Sequence, residues 1–288
     1  MIMERITKEG VLKDSIDKRK SGGNRKHPYR RCFAQYSGIS GKCGHFKVPF
    51  LNCTTVFEAQ TGLELRKDQY SCGYFMYIKD EDELKKIVDW VEKQGGLVYL
   101  NDHLSLSIAL GFNFYKDENG KRVRTDLGEL EYSAKYQKNE ESIERIVEKI
   151  IETIDFISFY KEADFVCAVP AFPSKHFDLP REIVSRVSQK ISKPNITDHF
   201  EFKQEKSPLK GCNLEEKWKK WEDTGVLFKR NIRGKTVLLI DDLYQSGISL
   251  QYIAMKLQDA GCEEVYGLTV VKSWSDTDNN IYHEELDG

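Results

Sequence analysis

Apolar residues recur along this chain with two periods, and the change between them divides it. From Cys32 to about Phe114, short aromatic and β-branched stretches such as Tyr74–Ile78 and Leu97–Leu100 predict strands. Between those two, Leu84, Ile87, Val88 and Val91 fall at helical spacing behind the acidic residues Asp80 to Glu83, which favour a helix N-terminus. This part reads as a mixed α+β module with no internal repeat and no catalytic signature. The run Asp117-Glu118-Asn119-Gly120-Lys121 is a turn signal. A long helix is then predicted from about Glu140 to Phe159, with Ile143, Ile146, Val147, Ile150, Ile154 and Ile157 on one face.

Beyond it the pattern alternates strand and helix. Phe165–Val169 is a continuous apolar run, as expected of a strand covered on both faces. Arg181–Ile191 reads as a helix with Ile183, Val184, Val187 and Ile191 on one side and Pro194 beyond its end. Thr236–Ile240 is a second buried strand, and Ser249–Ala260 a helix stopped by Gly261. Val265–Val271 is a third strand. The predicted fold class is therefore α/β, a doubly wound, mostly parallel sheet with an additional N-terminal α+β module. The predicted division is 1–31, a flexible basic arm; 32–130, the module; 131–275, the sheet domain; and 276–288, an acidic tail. In such sheets ligands bind beyond the carboxyl ends of the strands.

Composition narrows the classes of partner. With 288 residues and 40% hydrophobic content the chain has material for a sizeable core, which excludes a disordered protein. Lys plus Arg number 44 and Asp plus Glu 46, a net charge of −2, so nothing draws the whole molecule to nucleic acid or anionic lipid. A local patch can still do so. Lys13–Arg31 carries eight basic residues against Asp14 and Asp17, and is a candidate contact for nucleic acid or a protein partner. No apolar run approaches the ~20 residues of a membrane helix, and the first residues lack the apolar core of a signal peptide. The chain reads as soluble and cytoplasmic, with no membrane partner. Seven scattered cysteines fit reduced thiols, and no C-x₂₋₄-C hook marks a zinc site.

Chemistry concentrates in Val237-Leu238-Leu239-Ile240-Asp241-Asp242-Leu243-Tyr244-Gln245-Ser246-Gly247-Ile248-Ser249. Two carboxylates at a strand end are followed by a Ser/Gly turn that opens a helix. The first N–H groups of a helix lack intrahelical partners, and its dipole favours an anion there. Gly247 permits close backbone approach, and Ser246 and Ser249 add hydroxyl donors, so a phosphate dianion fits the turn. The carboxylates repel that phosphate and must face hydroxyls, a metal or a developing cation.

This stretch resembles the signature of type I phosphoribosyltransferases, four apolar residues followed by acid-Asp-x-x-x-Ser/Thr-Gly-x-Ser/Thr. Asp241, Asp242, Ser246, Gly247 and Ser249 meet every defining position, with Gln245 where Thr is frequent. The resemblance covers about the C-terminal half. It is nearest the ComF-like branch, in which a Lys-Tyr segment (Lys135-Tyr136) and a helix precede a strand ending in Val-Pro (Val169-Pro170). It implies phosphoribosyl pyrophosphate as substrate, an unknown acceptor nitrogen, and Mg²⁺ bound mainly through the pyrophosphate, with no metal ligand of the protein's own. Gln245, Ser246, Gly247, Ile248 and Ser249 would hold the 5′-phosphate; Asp241, Asp242 and Lys175 would be catalytic. Ser174 and Lys175, after the Val-Pro strand, would grip pyrophosphate together with Lys206 and Lys210. These two lie on a mobile loop over about Phe202–Asn231 that also carries Lys203, Lys217, Lys219 and Lys220. Lys272 and Trp274 would contact the acceptor. In that loop Lys217-Trp218-Lys219-Lys220-Trp221 replaces the Arg and Asn usual in the branch, and Trp218 and Trp221, three apart, read as one apolar helix face. Gly234-Lys235-Thr236 precedes a strand and is not a P-loop. The alternative function is a non-catalytic phosphoribosyltransferase-like nucleotide sensor or partner, or a nucleic-acid-binding protein; a cellular-defence effector acting on a nucleotide pool is a third reading. A homo-oligomer is compatible with all of these.

Overall fold

A computed structural model of the chain describes residues 4–13, 29–31, 35–37, 44–48, 50–69, 73–172, 176–205, 208–209 and 211–274. Two compact units result, one within Tyr29–Asn101, the other from Met1–Pro28 and Asp102–Gly288. A short helix, α1 (residues 8–13), belongs to the second.

In the first unit the elements run β1 (Tyr29–Arg31), β2 (Gln35–Ser37), β3 (Gly44–Val48), α2 (Leu51–Thr61), β4 (Arg66–Lys67), β5 (Tyr74–Ile78), α3 (Glu81–Gln94) and β6 (Val98–Leu100). Strands in the order β2-β3-β5-β4 form an antiparallel sheet, and β1 pairs antiparallel with β6. Helix α3 forms where its charge pattern predicts, since Asp80 caps it by accepting from Glu83 N at 2.8 Å and three acids occupy its first turn. One face of the sheet, with Phe46, Val48, Met76 and Ile78, is buried. Phe46 meets Phe57 of α2 at 4.8 Å and Trp90 of α3 at 6.1 Å between ring centroids.

The second unit continues with β7 (Leu106–Phe112), the hairpin β8 (Phe114–Lys116) and β9 (Arg122–Arg124), α4 (Asp126–Gln137), α5 (Glu140–Phe156), α6 (Ser158–Glu162), β10 (Phe165–Ala168) and α7 (Leu179–Ile191). The strand pair β11 (Phe200–Glu201) and β12 (Leu227–Phe228) encloses α8 (Leu214–Asp223). Then come β13 (Thr236–Tyr244), α9 (Ile248–Asp259) and β14 (Glu264–Lys272). Strands β7, β14, β13 and β10 lie in that order, each parallel to its neighbour. The chain is thus mixed α/β with a parallel sheet. From β10 the chain passes through α7 to Asn195, which bridges Val166 in parallel on the outer edge of β10, whereas from β13 it passes through α9 inward to β14. The two directions part between β10 and β13, and a crevice opens there at the strands' carboxyl ends.

Three expectations change. The helix predicted over Glu140–Phe159 is two, because Ile157 has extended backbone (φ −103°, ψ 103°) while its side chain stays fully buried. The apolar periodicity runs through the break and so hides it. The division of the chain lies at Asn101/Asp102, not near residue 130, because β7 is hydrogen-bonded to β14 and α4 packs on both. Finally, Phe202–Asn231, expected as a mobile loop with one apolar helix face at Trp218 and Trp221, packs that face as a helix. A capping box between Asn213 and Glu216 starts α8, and Leu214, Trp218 and Trp221 are buried.

No helix among the described residues is long and apolar enough to cross a membrane. Of the four described cysteines, Cys53, Cys167 and Cys262 are buried, and burial pushes the Cys167 and Cys262 thiols up to about 12. Cys212 is half-exposed. Mass spectrometry after brief iodoacetamide treatment of the native protein at mildly alkaline pH should find Cys212 alkylated first among these four. Equal labelling of Cys167 would contradict this packing.

Candidate functional site

A cavity of about 650 Å³ occupies the crevice between the ends of β10 and β13. Val169–Phe172 line it from the β10 side, and Asp241–Gly247 with Ser249 and Leu250 from the β13 side. Lys135 and Tyr136 of α4 and Lys217 of α8 complete its charged and aromatic wall. Strand β13 is longer than the apolar run suggests, since pairing with β14 continues from Asp241↔Thr269 to Tyr244↔Lys272. Both aspartates are thereby strand residues with a fixed backbone.

At the turn, Gly247 is in the left-handed region (φ 76°, ψ −1°) and precedes α9. A Cβ at this position would lie 2.3 Å from Tyr244 Oη, so only glycine fits over the buried tyrosine. The N-cap residue Gly247 supplies no side-chain cap, and Ile248 N donates a long hydrogen bond, 3.5 Å, to Ser246 Oγ. Ser246 and Ser249 face the cavity, whereas the Ile248 side chain is buried and offers only its backbone. Ser249 Oγ accepts from Trp221 Nε1 at 3.1 Å, which leaves the hydroxyl proton to donate. Trp221 stacks on Tyr252 of α9 at 5.5 Å, and Trp218 meets the same ring edge-on at 5.2 Å. The two tryptophans are therefore the apolar face read from their spacing. Trp221→Phe keeps an aromatic ring but removes the N–H and part of the indole from a fully buried position. Urea unfolding should show a loss of about 2–3 kcal/mol, the hydrogen bond and the cavity together, and inorganic phosphate should bind more weakly; unchanged phosphate affinity would deny Trp221 its positioning role.

The two aspartates differ. Asp241 is half-buried in the cavity wall and turns Oδ1 to the amide of Asp242 at 2.9 Å. Asp242 is only 7% exposed, with Oδ2 2.7 Å from Lys135 Nζ, which also lies 3.5 Å from Glu131 Oε1. Burial acts to lower the Lys135 ammonium, but Asp242, with Glu131 and Asp241, holds it well above the ordinary lysine value. Burial raises the Glu131 carboxyl and the Asp242 charge adds to this, while Lys135 opposes both. One cation amid three carboxylates leaves a net negative wall, suited to hydroxyl donors, a cation or a cationic transition state.

Among the described residues no group of three or more His, Cys, Asp or Glu converges to hold a metal ion. The Mg²⁺ implied by the resemblance fits the lining in another way. The half-buried Asp241 carboxylate is a hard oxygen donor in the cavity, and Mg²⁺ is commonly held by one or two carboxylates together with substrate phosphates.

Other expected residues fall differently. Lys272 is fully buried, donates to Ser273 O at 2.8 Å and lies 6.0 Å from the Tyr244 ring centroid. Trp274 packs edge-on against Phe112 at 5.6 Å. Neither lines the cavity; Ser273, between them, does. Successive side chains of an extended segment point to opposite sides, so a turn of Ser273 into the cavity takes both neighbours away from it. Ser174, Lys175, Lys206 and Lys210 lie outside the described residues, although Phe172, Asp178, Pro208 and Leu209 around them line the cavity. Of the described lysines in 202–231, Lys217 alone reaches the lining. The sequence reading did not assign roles to Lys135, Glu131 or Trp221. Glu131 and Lys135 do carry a signal, the i,i+4 spacing of an acid N-terminal to a lysine.

No protein-family model matches the chain, and no curated protein sequence matches it significantly.

Proposed function

We propose that this cavity binds phosphoribosyl pyrophosphate with Mg²⁺ and that the chain is a phosphoribosyltransferase. One observation carries the reading. The first turn of α9, which has glycine at its N-cap and only a long bond from Ile248 N to Ser246 Oγ, opens with Ser246 and Ser249 into the same cavity that Asp241 enters from the end of β13. That pairing of an anion site with a nearby carboxylate matches a phosphorylated pentose, and the parallel sheet with its crevice after β13 suits the type I phosphoribosyltransferase architecture.

In this mechanism the 5′-phosphate sits on the amides of residues 247–250 and the two serine hydroxyls. Asp241 accepts hydrogen bonds from the ribose hydroxyls. Asp242, held by Lys135, adds negative potential beneath the ring. The bond from C1 to the diphosphate oxygen breaks with both electrons leaving on diphosphate. An acceptor nitrogen then supplies the pair for the new C1–N bond and gives up its proton to solvent. Negative charge beside the cationic sugar lowers that barrier without a protein nucleophile. Mg²⁺, when bound, neutralises the diphosphate oxygens. Lys217 contributes positive potential from α8. Tyr136 and Phe172 are the aromatic surfaces available to a flat acceptor ring.

Calorimetry with phosphoribosyl pyrophosphate and Mg²⁺ tests the site. Wild type should bind, and Asp241→Asn should bind at least about tenfold more weakly, the scale of a lost hydrogen bond to a charged group. Asp241 is the informative position, because changing Asp242 also disturbs Lys135. No binding by wild type, or equal binding by both, overturns the reading. Pyrophosphate release across purines, pyrimidines and amines then identifies the acceptor; binding with no release on any of them supports the nucleotide-sensing alternative.

A further inference from the structure

The antiparallel sheet of the first unit has a second face, and its composition is unusual for a solvent-facing surface. Strand register places His45 opposite Tyr77, and Lys47 opposite Phe75, which in turn lies opposite Arg66. Directly paired residues share a face, as do residues two apart, so these five side chains stand on one side. Phe46, Val48, Met76 and Ile78 are on the other, under α2 and α3. Solvated faces of antiparallel sheets are ordinarily polar. Here Phe75 and Tyr77 meet edge-on with centroids 5.5 Å apart, and Tyr77 is 61% exposed. Lys47 Nζ lies 5.9 Å from the Phe75 ring centroid, and Arg66 is exposed at the edge strand. Asp68 follows β4 and pairs with Lys47 at 3.1 Å.

We propose that this face binds single-stranded nucleic acid, with Phe75 and Tyr77 stacking on unpaired bases and Lys47 and Arg66 meeting the phosphates. Every base has a π-face, and aromatic side chains on an open sheet recognise unstacked bases in a sequence-tolerant way. The cations beside the rings complement a polyanion, although the chain as a whole carries a charge of −2. Duplexes hide their base faces in the stack, so the surface selects single strands. The inference is independent of the phosphoribosyl reading.

Fluorescence anisotropy of the full chain tests it, with short labelled RNA and DNA single strands and the matched duplex, at low and raised salt. A single strand should bind more tightly than the duplex, and the preferred of the two identifies the natural ligand. Phe75→Ala and Tyr77→Ala should each weaken binding roughly tenfold. Lys47→Ala combined with Arg66→Ala should weaken it and flatten its salt dependence. Circular dichroism should stay unchanged; if Phe75→Ala unfolds, the exposed Tyr77→Ser carries the test. The proposal fails if neither strand binds at low salt, or if the duplex binds as well. It also fails if these variants bind like wild type, which would put the contact elsewhere, as on the basic segment 13–31. Self-association lost in Tyr77→Ser, with no strand bound, would make the face a protein interface and equally overturn it.

Discussion

Gly247→Ala should bind phosphoribosyl pyrophosphate about a hundredfold more weakly than wild type in calorimetry, with circular dichroism unchanged. Two costs coincide at that residue. An L-residue at φ 76° adopts the left-handed region at a cost of about 1–2 kcal/mol. The new methyl would also fall 2.3 Å from Tyr244 Oη and 2.5 Å from its Cζ, and Tyr244 is buried with little room to yield. Relief by a shift of the turn misaims the amides that the phosphate needs. Adding Tyr244→Ala to Gly247→Ala removes the collision and leaves the dihedral, so it should recover part of the affinity. Undiminished binding by Gly247→Ala would show that the turn is not the anion site.

Lys135→Met should destabilise the protein by about 3 kcal/mol in urea unfolding, since it strands buried carboxylates without their cation. The deficit should depend on pH. Glu131 has a folded-state pKa raised above its ordinary 4.5, so its contribution to stability is fully present below that value and is lost as pH rises through the folded pKa. Lys135, also raised, follows the same rule at the alkaline end, where the pair with Asp242 is lost. Without Lys135 the opposing influence on Glu131 disappears and its carboxyl rises further. The variant should therefore lie closest to wild type near pH 4 and fall behind towards about pH 8. Asp242→Leu in the same background removes one stranded charge and should restore part of the loss. A deficit that is small, or flat with pH, would show that the cluster is better solvated than its burial indicates.

Much of the site lies in one continuous segment, and that is why it is legible. Asp241, Asp242, Ser246, Gly247 and Ser249 are ordered by local chemistry: a strand that ends, a turn that needs a left-handed residue, a helix that begins. Lys272 and Trp274 stay out of the cavity because Ser273 between them turns into it, and which residue of the three faces the cavity depends on how the end of β14 meets the rest of the fold. Within 202–231 the spacing of Trp218 and Trp221 shows a helix face, while the resemblance implies a mobile loop; the capping box of Asn213 and Glu216 marks where the helix starts.

The sequence alone determined the alternation of strand and helix from Phe165 through α7, β13, α9 and β14, the N-terminal cap of α3 and the glycine turn before α9, since each arises from neighbours within a few residues. Tertiary structure decided that β7 joins β14, that Lys135 neutralises Asp242 and that Trp221 holds Ser249. It also decided that the aromatic face of the first unit points away from its helices. Periodicity states that a face is buried or exposed, but not what lies opposite. A buried charge or an indole N–H takes its partner from whichever element the packing brings within hydrogen-bonding distance, and that is a property of the whole chain.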